Sequence, residues 1–287
     1  MYELCLWLKC LEQIYVLPNE GSIPMEVRIA PILEISPSGP GHEISICFTA
    51  ERGFIASGKS AWRFTGPLAP NTALERLSLP AGEVQQLSAF GDALYLLKTA
   101  GVDGHTLLRS MDQGESFEPI DEGLVSTSEA NTRLVPTRVA QVGPVVFTNA
   151  GAGRNFLSCN DGTGQHWNVL SGERKSIISC YPAEFLVFGR DVLLGGECPT
   201  DDAFLLKGAL DASMTGWAVP PAEVGPPDLG NRDVQFIAVA PDWGAVFAGV
   251  EGGLLRSTTA GRSWTWPVRF TQADGSYPYV KQYCRPK

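Results

Sequence analysis

The stretch Leu107-Leu-Arg-Ser-Met-Asp-Gln-Gly-Glu-Ser-Phe117 recurs, with changes, along the chain. Its nearest echo is Leu254-Leu-Arg-Ser-Thr-Thr-Ala-Gly-Arg-Ser-Trp264. Between the two lie Phe156-Leu-Ser-Cys-Asn-Asp-Gly-Thr-Gly-Gln-His-Trp167 and Phe204-Leu-Leu-Lys-Gly, the latter followed by Gly216-Trp217. A fainter copy is Phe54-Ile-Ala-Ser-Gly-Lys-Ser-Ala-Trp62. The closing aromatics Trp62, Phe117, Trp167, Trp217 and Trp264 follow one another at intervals of about fifty residues, a period that marks a repeat architecture.

One unit reads clearly at the end of the series. Asp233-Val-Gln-Phe-Ile-Ala-Val-Ala240 is β-prone, Pro241-Asp-Trp-Gly244 is a turn, Ala245-Val-Phe-Ala-Gly249 is a second strand, and Leu254–Ser257 and Ser263–Phe270 are a third and a fourth. No space remains for a helix of ordinary length. A lone four-stranded meander cannot bury both faces, whereas units set radially bury each sheet against its neighbours. The sequence therefore predicts an all-β fold, a single β-propeller domain over 1–287 with blades of four antiparallel strands. The evident blades span about 27–65, 83–120, 134–170, 184–219 and 233–270. The β-prone pieces Cys5–Leu8, Gln13–Leu17 and Tyr277–Tyr283 leave two alternatives: a ring of five, or a sixth blade assembled from both ends of the chain.

The repeated segment resembles the Asp-box, or BNR repeat, Ser-x-Asp-x-Gly-x-Ser/Thr-Trp/Phe. Ser110, Asp112, Gly114, Ser116 and Phe117 match it fully. Ser257, Gly261, Ser263 and Trp264 match it with Thr259 in place of the acid, and Ser158, Asn160, Gly162 and Trp167 match it with two extra residues before the aromatic. The resemblance implies a scaffold of the sialidase-like and sortilin-like kind, one shared by receptors, assembly factors and glycan-active enzymes. Fold and activity are separable in such scaffolds. The physical reading of the motif is a turn between the third and fourth strands. There Asp112 accepts bonds from the local backbone, Gly114 takes a positive φ, and the aromatic packs back between sheets. These residues are expected to be structural, with none assigned to catalysis, cofactor or metal.

The chain of 287 residues carries a formal net charge of -9 and has no run of Lys or Arg, which argues against nucleic acid as a partner. No stretch reaches the length of a membrane-spanning helix, so no membrane insertion is expected. Seven cysteines at irregular spacing do not form a disulfide framework. Met1-Tyr-Glu-Leu-Cys-Leu-Trp-Leu-Lys-Cys10 lacks the basic start and clean apolar core of a signal peptide. The expectation is a soluble, cytoplasmic protein.

Candidate chemistry is sparse. His42, His105 and His166 belong to three different units and show no metal spacing. Val27-Arg-Ile-Ala-Pro31 loosely resembles the Arg-Ile-Pro entry of sialidases, which would make Arg28 a clamp for a substrate carboxylate. No second or third clamp arginine follows, and Tyr277, Tyr279 and Tyr283 stand without a paired acid. The long second-to-third turns and inter-blade connections share one face. That face carries Asp121, Glu122, Glu129, Asp201, Asp202, Glu223 and Asp228 with Arg133, Arg154, Lys175 and Arg232. Such loops on a rigid scaffold are where binding concentrates. The leading reading is a noncatalytic module that binds a protein partner through this face, as an assembly factor, adaptor or neutralising protein. The alternative is a carbohydrate-binding propeller or a sialidase-like glycoside hydrolase. No cofactor is expected in either.

Overall fold

The computed structural model describes residues 7–10, 13–16, 31–34, 44–66, 72–99, 105–124, 134–150, 155–159, 161–171, 181–197, 203–230, 232–240 and 244–269. The fold is an all-β, five-bladed propeller of four-stranded antiparallel sheets, preceded by a three-stranded sheet. That leading sheet consists of β1 (Trp7–Cys10), β2 (Gln13–Val16) and β3 (Pro31–Glu34). Blade one is β4 (Ile44–Phe48), β5 (Gly53–Ser57), β6 (Ser60–Phe64) and β7 (Glu75–Arg76). Blade two is β8 (Val84–Phe90), β9 (Ala93–Thr99), β10 (His105–Ser110) and β11 (Glu118–Pro119). Blade three is β12 (Pro136–Val142), β13 (Val145–Ala150), β14 (Asn155–Cys159) and β15 (Asn168–Ser171). Blade four is β16 (Tyr181–Phe188), β17 (Asp191–Glu197), β18 (Ala203–Leu210) and β19 (Trp217–Glu223). Blade five is β20 (Val234–Ala240), β21 (Ala245–Val250), β22 (Gly253–Ser257) and β23 (Thr265–Arg269).

Blade one departs from the sequence reading. It begins at Ile44, because β3 pairs with β2 and not with β4. It ends at Arg76, so Ser60–Phe64, at the end of the expected range, is its third strand and not its last. Ser57 and Ser60 flank a two-residue hairpin turn in which Gly58 takes φ +56°, and Trp62 stands opposite Ile55 within the hairpin. The segment Phe54–Trp62 resembles the repeat in composition, yet it occupies the turn between second and third strands, where no motif turn belongs.

The core consists of the seams between blades. Phe54, Ala56 and Ala61 of blade one meet Leu87, Leu94 and Leu96 of blade two. Tyr95 and Leu107 meet Val139 and Val146 of blade three. Phe147 and Phe156 meet Phe185 and Leu194 of blade four, with the Phe156 and Phe185 rings 5.0 Å apart. Leu193 and Leu205 meet Ile237, Ala248 and Trp264 of blade five. Burying one such side chain stabilises by about 1.5–3 kcal/mol. At each seam the innermost strand of one blade lies across the preceding sheet, as β8 does on β4 and β5 and as β20 does on β16, β17 and β18.

Each seam also carries a hydrogen bond of one repeated kind. A side chain on the third strand of one blade donates to a backbone carbonyl in the third-to-fourth turn of the next. The pairs are Arg63 Nη1 to Gln113 O (3.3 Å), Arg109 Nη1 to Gly162 O (2.7 Å), Ser158 Oγ to Met214 O (2.8 Å) and Lys207 Nζ to Ala260 O (2.7 Å). All four acceptors are left-handed, with φ of 59°, 65°, 58° and 54°. The donors are equivalent by register, standing opposite Phe54, Tyr95, Phe147 and Leu193 on the second strands. Arg63 is held further by Glu75 on its own blade and by Glu115 of blade two at 2.6 Å, and the Glu75 hydrogen bond above all keeps its guanidinium charged.

The outer strands are short or interrupted. Pro119, Pro220, Pro221 and Pro267 lie in β11, β19 and β23 and remove donors from the rim. On β15, which has no proline, the Leu170 carbonyl accepts the Trp217 indole N–H at 2.8 Å.

Trp264 is 8 % exposed within the last seam, so Trp264→Ala should lower unfolding free energy by about 3–5 kcal/mol in urea titrations. Trp167, half-buried beside two clusters, should give a smaller loss. An unchanged midpoint for Trp264→Ala would contradict this account of the seam.

Candidate functional site

The third-to-fourth turns are built by their own side chains. In blade two the Ser110 hydroxyl accepts the Gly114 N–H (2.8 Å) and donates to Asp112 Oδ1 (2.7 Å). Asp112 Oδ1 also accepts the Ser116 N–H (2.9 Å), and Oδ2 accepts the Ser116 hydroxyl (2.6 Å). These bonds, the Ser116 hydroxyl first, hold the Asp112 carboxyl down to about 2. Gly114 sits at φ +86° against Leu77, and Phe117 packs on the seam with blade one. Blade five repeats the pattern. Ser257 Oγ accepts the Gly261 N–H at 2.8 Å, Thr259 Oγ1 accepts the Ser263 N–H at 2.9 Å, and the Thr259 and Ser263 hydroxyls lie 2.9 Å apart.

In blade three the turn is built one residue later than Ser158 and Asn160 imply. Cys159 Sγ accepts the Gly164 N–H at 3.3 Å, and Asp161 Oδ1 accepts the Thr163 N–H at 3.0 Å. Ser158 points instead to blade four, Gly162 supplies the seam carbonyl, and Trp167 donates its indole N–H to Gly164 O at 3.1 Å. Asn160 lies outside the described residues. Gly164, at φ +79°, lies so close to Ile120 O that an added Cβ would stand 1.9 Å from it. Blade four carries a turn acid that the motif match passes over: Asp211 Oδ1 accepts the Ser213 hydroxyl at 2.7 Å and the Thr215 N–H at 3.2 Å.

Of the acidic and basic residues expected on the long-loop face, Glu129, Arg133, Arg154, Lys175, Asp201 and Asp202 lie outside the described residues, as do Arg28, His42 and Tyr277–Tyr283. Asp121 is not a surface acid. It is 1 % exposed, and its Oδ2 accepts the Leu107 N–H at 2.9 Å. Glu122 accepts from Gln165 at 2.9 Å, and Glu223 accepts the Gly225 N–H at 2.9 Å. His105 begins β10, and His166 is exposed. Among the described residues no group of three or more His, Cys, Asp and Glu side chains is placed to hold a metal ion. No helix among them is long and apolar enough to cross a membrane.

Asp228 and Arg232 of the β19–β20 connection do converge, on two side chains of β23. Asp228 Oδ1 accepts the Trp266 indole N–H at 2.9 Å, and Oδ2 accepts from Arg269. The Trp266 and Arg269 bonds hold the Asp228 carboxyl below its usual range. The Arg269 guanidinium lies 4.3 Å from the Trp266 ring centroid and that of Arg232 lies 5.5 Å away. Arg232 Nη1 donates to Asp228 O (2.9 Å) and Leu229 O (3.1 Å). The result is a fixed, solvent-reaching cluster of two cations, one indole and one carboxylate, with the Arg269 and Asp228 side chains 48 % and 54 % exposed. Trp266 and Arg269 carry no motif and lie on β23, which pairs with β22.

No family model matches the sequence, and no curated protein matches it. Solved structures do match in fold. YCF48 from Cyanidioschyzon merolae is 13% identical with TM-score 0.58, covering 83% of this chain and 72% of its own. YCF48 bound to D1 peptide is 13% identical with TM-score 0.57, covering 91% and 78%. The GH74 xyloglucanase from Xanthomonas campestris is 16% identical with TM-score 0.50, covering 80% of this chain and 38% of its own. At these identities the likeness is one of fold: a multi-bladed β-propeller.

The Asp112 carboxyl titrates near 2 when folded, against about 3.9 in an unfolded chain. Its stabilising contribution is therefore complete above about pH 4 and fades as the pH falls towards 2. The melting-temperature deficit of Asp112→Asn should shrink between about pH 6 and pH 2. A deficit constant over that range would remove the carboxylate as its source.

Proposed function

We propose that the chain is a noncatalytic recognition module that binds a protein partner through the side carrying the inter-blade connections. The observation that carries this reading is the Asp228–Arg232–Trp266–Arg269 cluster. Arginine and tryptophan dominate the energetics of protein interfaces. Here they are held by hydrogen bonds and stacking before any partner arrives, which lowers the entropy lost on binding. Two guanidiniums against one carboxylate make the cluster locally cationic on a chain of net charge -9. The partner group it fits is anionic or aromatic. The structure of YCF48 bound to D1 peptide lends support, because there a similar propeller holds a peptide. A sugar platform is the second reading, prompted by Trp266 and by the xyloglucanase fold. It is the weaker one, because Arg269 already occupies the indole ring.

Affinity capture from a native lysate, compared between the native protein and Trp266→Ala and Arg269→Ala, tests the proposal. A stoichiometric partner whose affinity falls about 30-fold or more in either variant is expected, as for hot-spot residues. Saturable glycan binding with no protein partner would overturn it.

A further inference from the structure

We infer that the rim of blade four continues the interface of the Asp228 cluster, and that the occupant is an extended segment of a partner protein carrying an acidic residue near an apolar one. The inference rests on the protein-binding reading above. Among the described outer strands β19, with seven residues, is the longest. Ala218, Val219, Pro220 and Ala222 on it are exposed. Val219, at 57 %, is one of two large apolar side chains so exposed among the described residues. The shorter rims β7 and β11 present Glu75, Arg76 and Glu118 to solvent instead. Prolines keep a sheet edge from being extended, which accounts for Pro220 and Pro221. That role needs no exposed valine beside them, and a contiguous exposed apolar patch marks an interaction site.

The strip is held from both ends. Pro220 and Pro221 lack amide donors, and the ladder with β18 shifts between Lys207 and Ala209. A Cβ on Gly208 would stand 3.0 Å from the Val219 carbonyl oxygen and from Pro221 N, so bare backbone there lets the bulge lie close. At one end the Trp217 indole is tied to the Leu170 carbonyl of blade three. At the other, the Val224 and Gly225 N–H groups both donate to Leu205 O. Glu223, the acid of the strip, is engaged locally by the Gly225 N–H. The chain then reaches Asp228, which ties it to Trp266 and Arg269 of β23. A short, hydrogen-bonded stretch of backbone therefore joins the apolar strip to the cationic cluster. Arg269 gives Asp228 one hydrogen bond, and its other N–H groups have no hydrogen-bond partner among the described residues. A planar guanidinium with a free edge pairs with a carboxylate. Pro220, Pro221 and Pro267 withhold donors from both rims, so recognition falls to the partner's side chains: a carboxylate on Arg269 and an apolar group on Val219.

The test uses the full chain with Val219→p-benzoylphenylalanine. Irradiation in a native lysate followed by peptide mapping should join position 219 to one segment of a partner protein. Val219→Asp should weaken that partner about 10-fold while leaving the melting temperature unchanged. Arg269→Glu should weaken it likewise, and replacing one acid of the crosslinked segment by Lys should restore the affinity. A crosslink to a second copy of this chain, or a crosslinked segment in which no acid-to-Lys change restores binding, overturns the inference. So does unchanged affinity in Val219→Asp. A partner that is lost in Trp266→Ala or Arg269→Ala yet never crosslinks at position 219 overturns the strip alone and leaves the protein-binding reading standing. With no partner at all, that reading falls and the strip with it. If Val219→Asp shifts the melting temperature, the crosslink and the charge exchange decide.

Discussion

The bond from a third-strand side chain to the left-handed carbonyl of the next blade's turn sets the geometry on which the ring depends. Hydrophobic seams alone are non-directional and allow neighbouring sheets to slide. A hydrogen bond needs its donor and acceptor within a narrow range of distance and angle. Repeating it at Gln113, Gly162, Met214 and Ala260 fixes each sheet against its neighbour at the same height. Because the acceptor is backbone, the donor is free to vary, and arginine, serine and lysine all serve. The condition is that the turn hold its carbonyl outward, which non-glycine residues at positive φ do at a local cost.

That condition explains what the turn side chains are for. Asp112, Asp161 and Asp211 and the hydroxyl of Thr259 differ in chemistry and in offset, yet each collects backbone N–H groups across its own turn. The carboxylates are consumed in shaping the loop. Their depressed titration is a mark of that employment and is no sign of a reactive group.

The fold was legible because aromatic anchors and glycines recur at one period, and because strand lengths leave no room for helices. The first blade was not, since Ser57, Gly58 and Trp62 imitate the repeat at the wrong hairpin and β3 pairs away from β4. The slip from Ser158 and Asn160 to Cys159 and Asp161 has a similar cause: a turn one residue longer keeps its composition while its bonds move. Asp121 reads as an exposed acid in a loop, and only the path of the chain past β10 buries it beneath the Leu107 amide. The Trp266–Arg269–Asp228 grouping is wholly tertiary, joining residues of β23 to the β19–β20 connection.

The outer strands decide the manner in which this protein can meet others. Sheets usually associate edge to edge, by extending a ladder of backbone bonds into another molecule. Here Pro119, Pro220, Pro221 and Pro267 remove amides from three of the rims, the Trp217 indole occupies a carbonyl of a fourth, and β7 is two residues long. A ladder begun at any of these edges stalls within a residue or two. The blades are thereby insulated from lateral polymerisation, and selectivity passes to side chains, where a change of one or two residues can redirect partner choice without disturbing the ring.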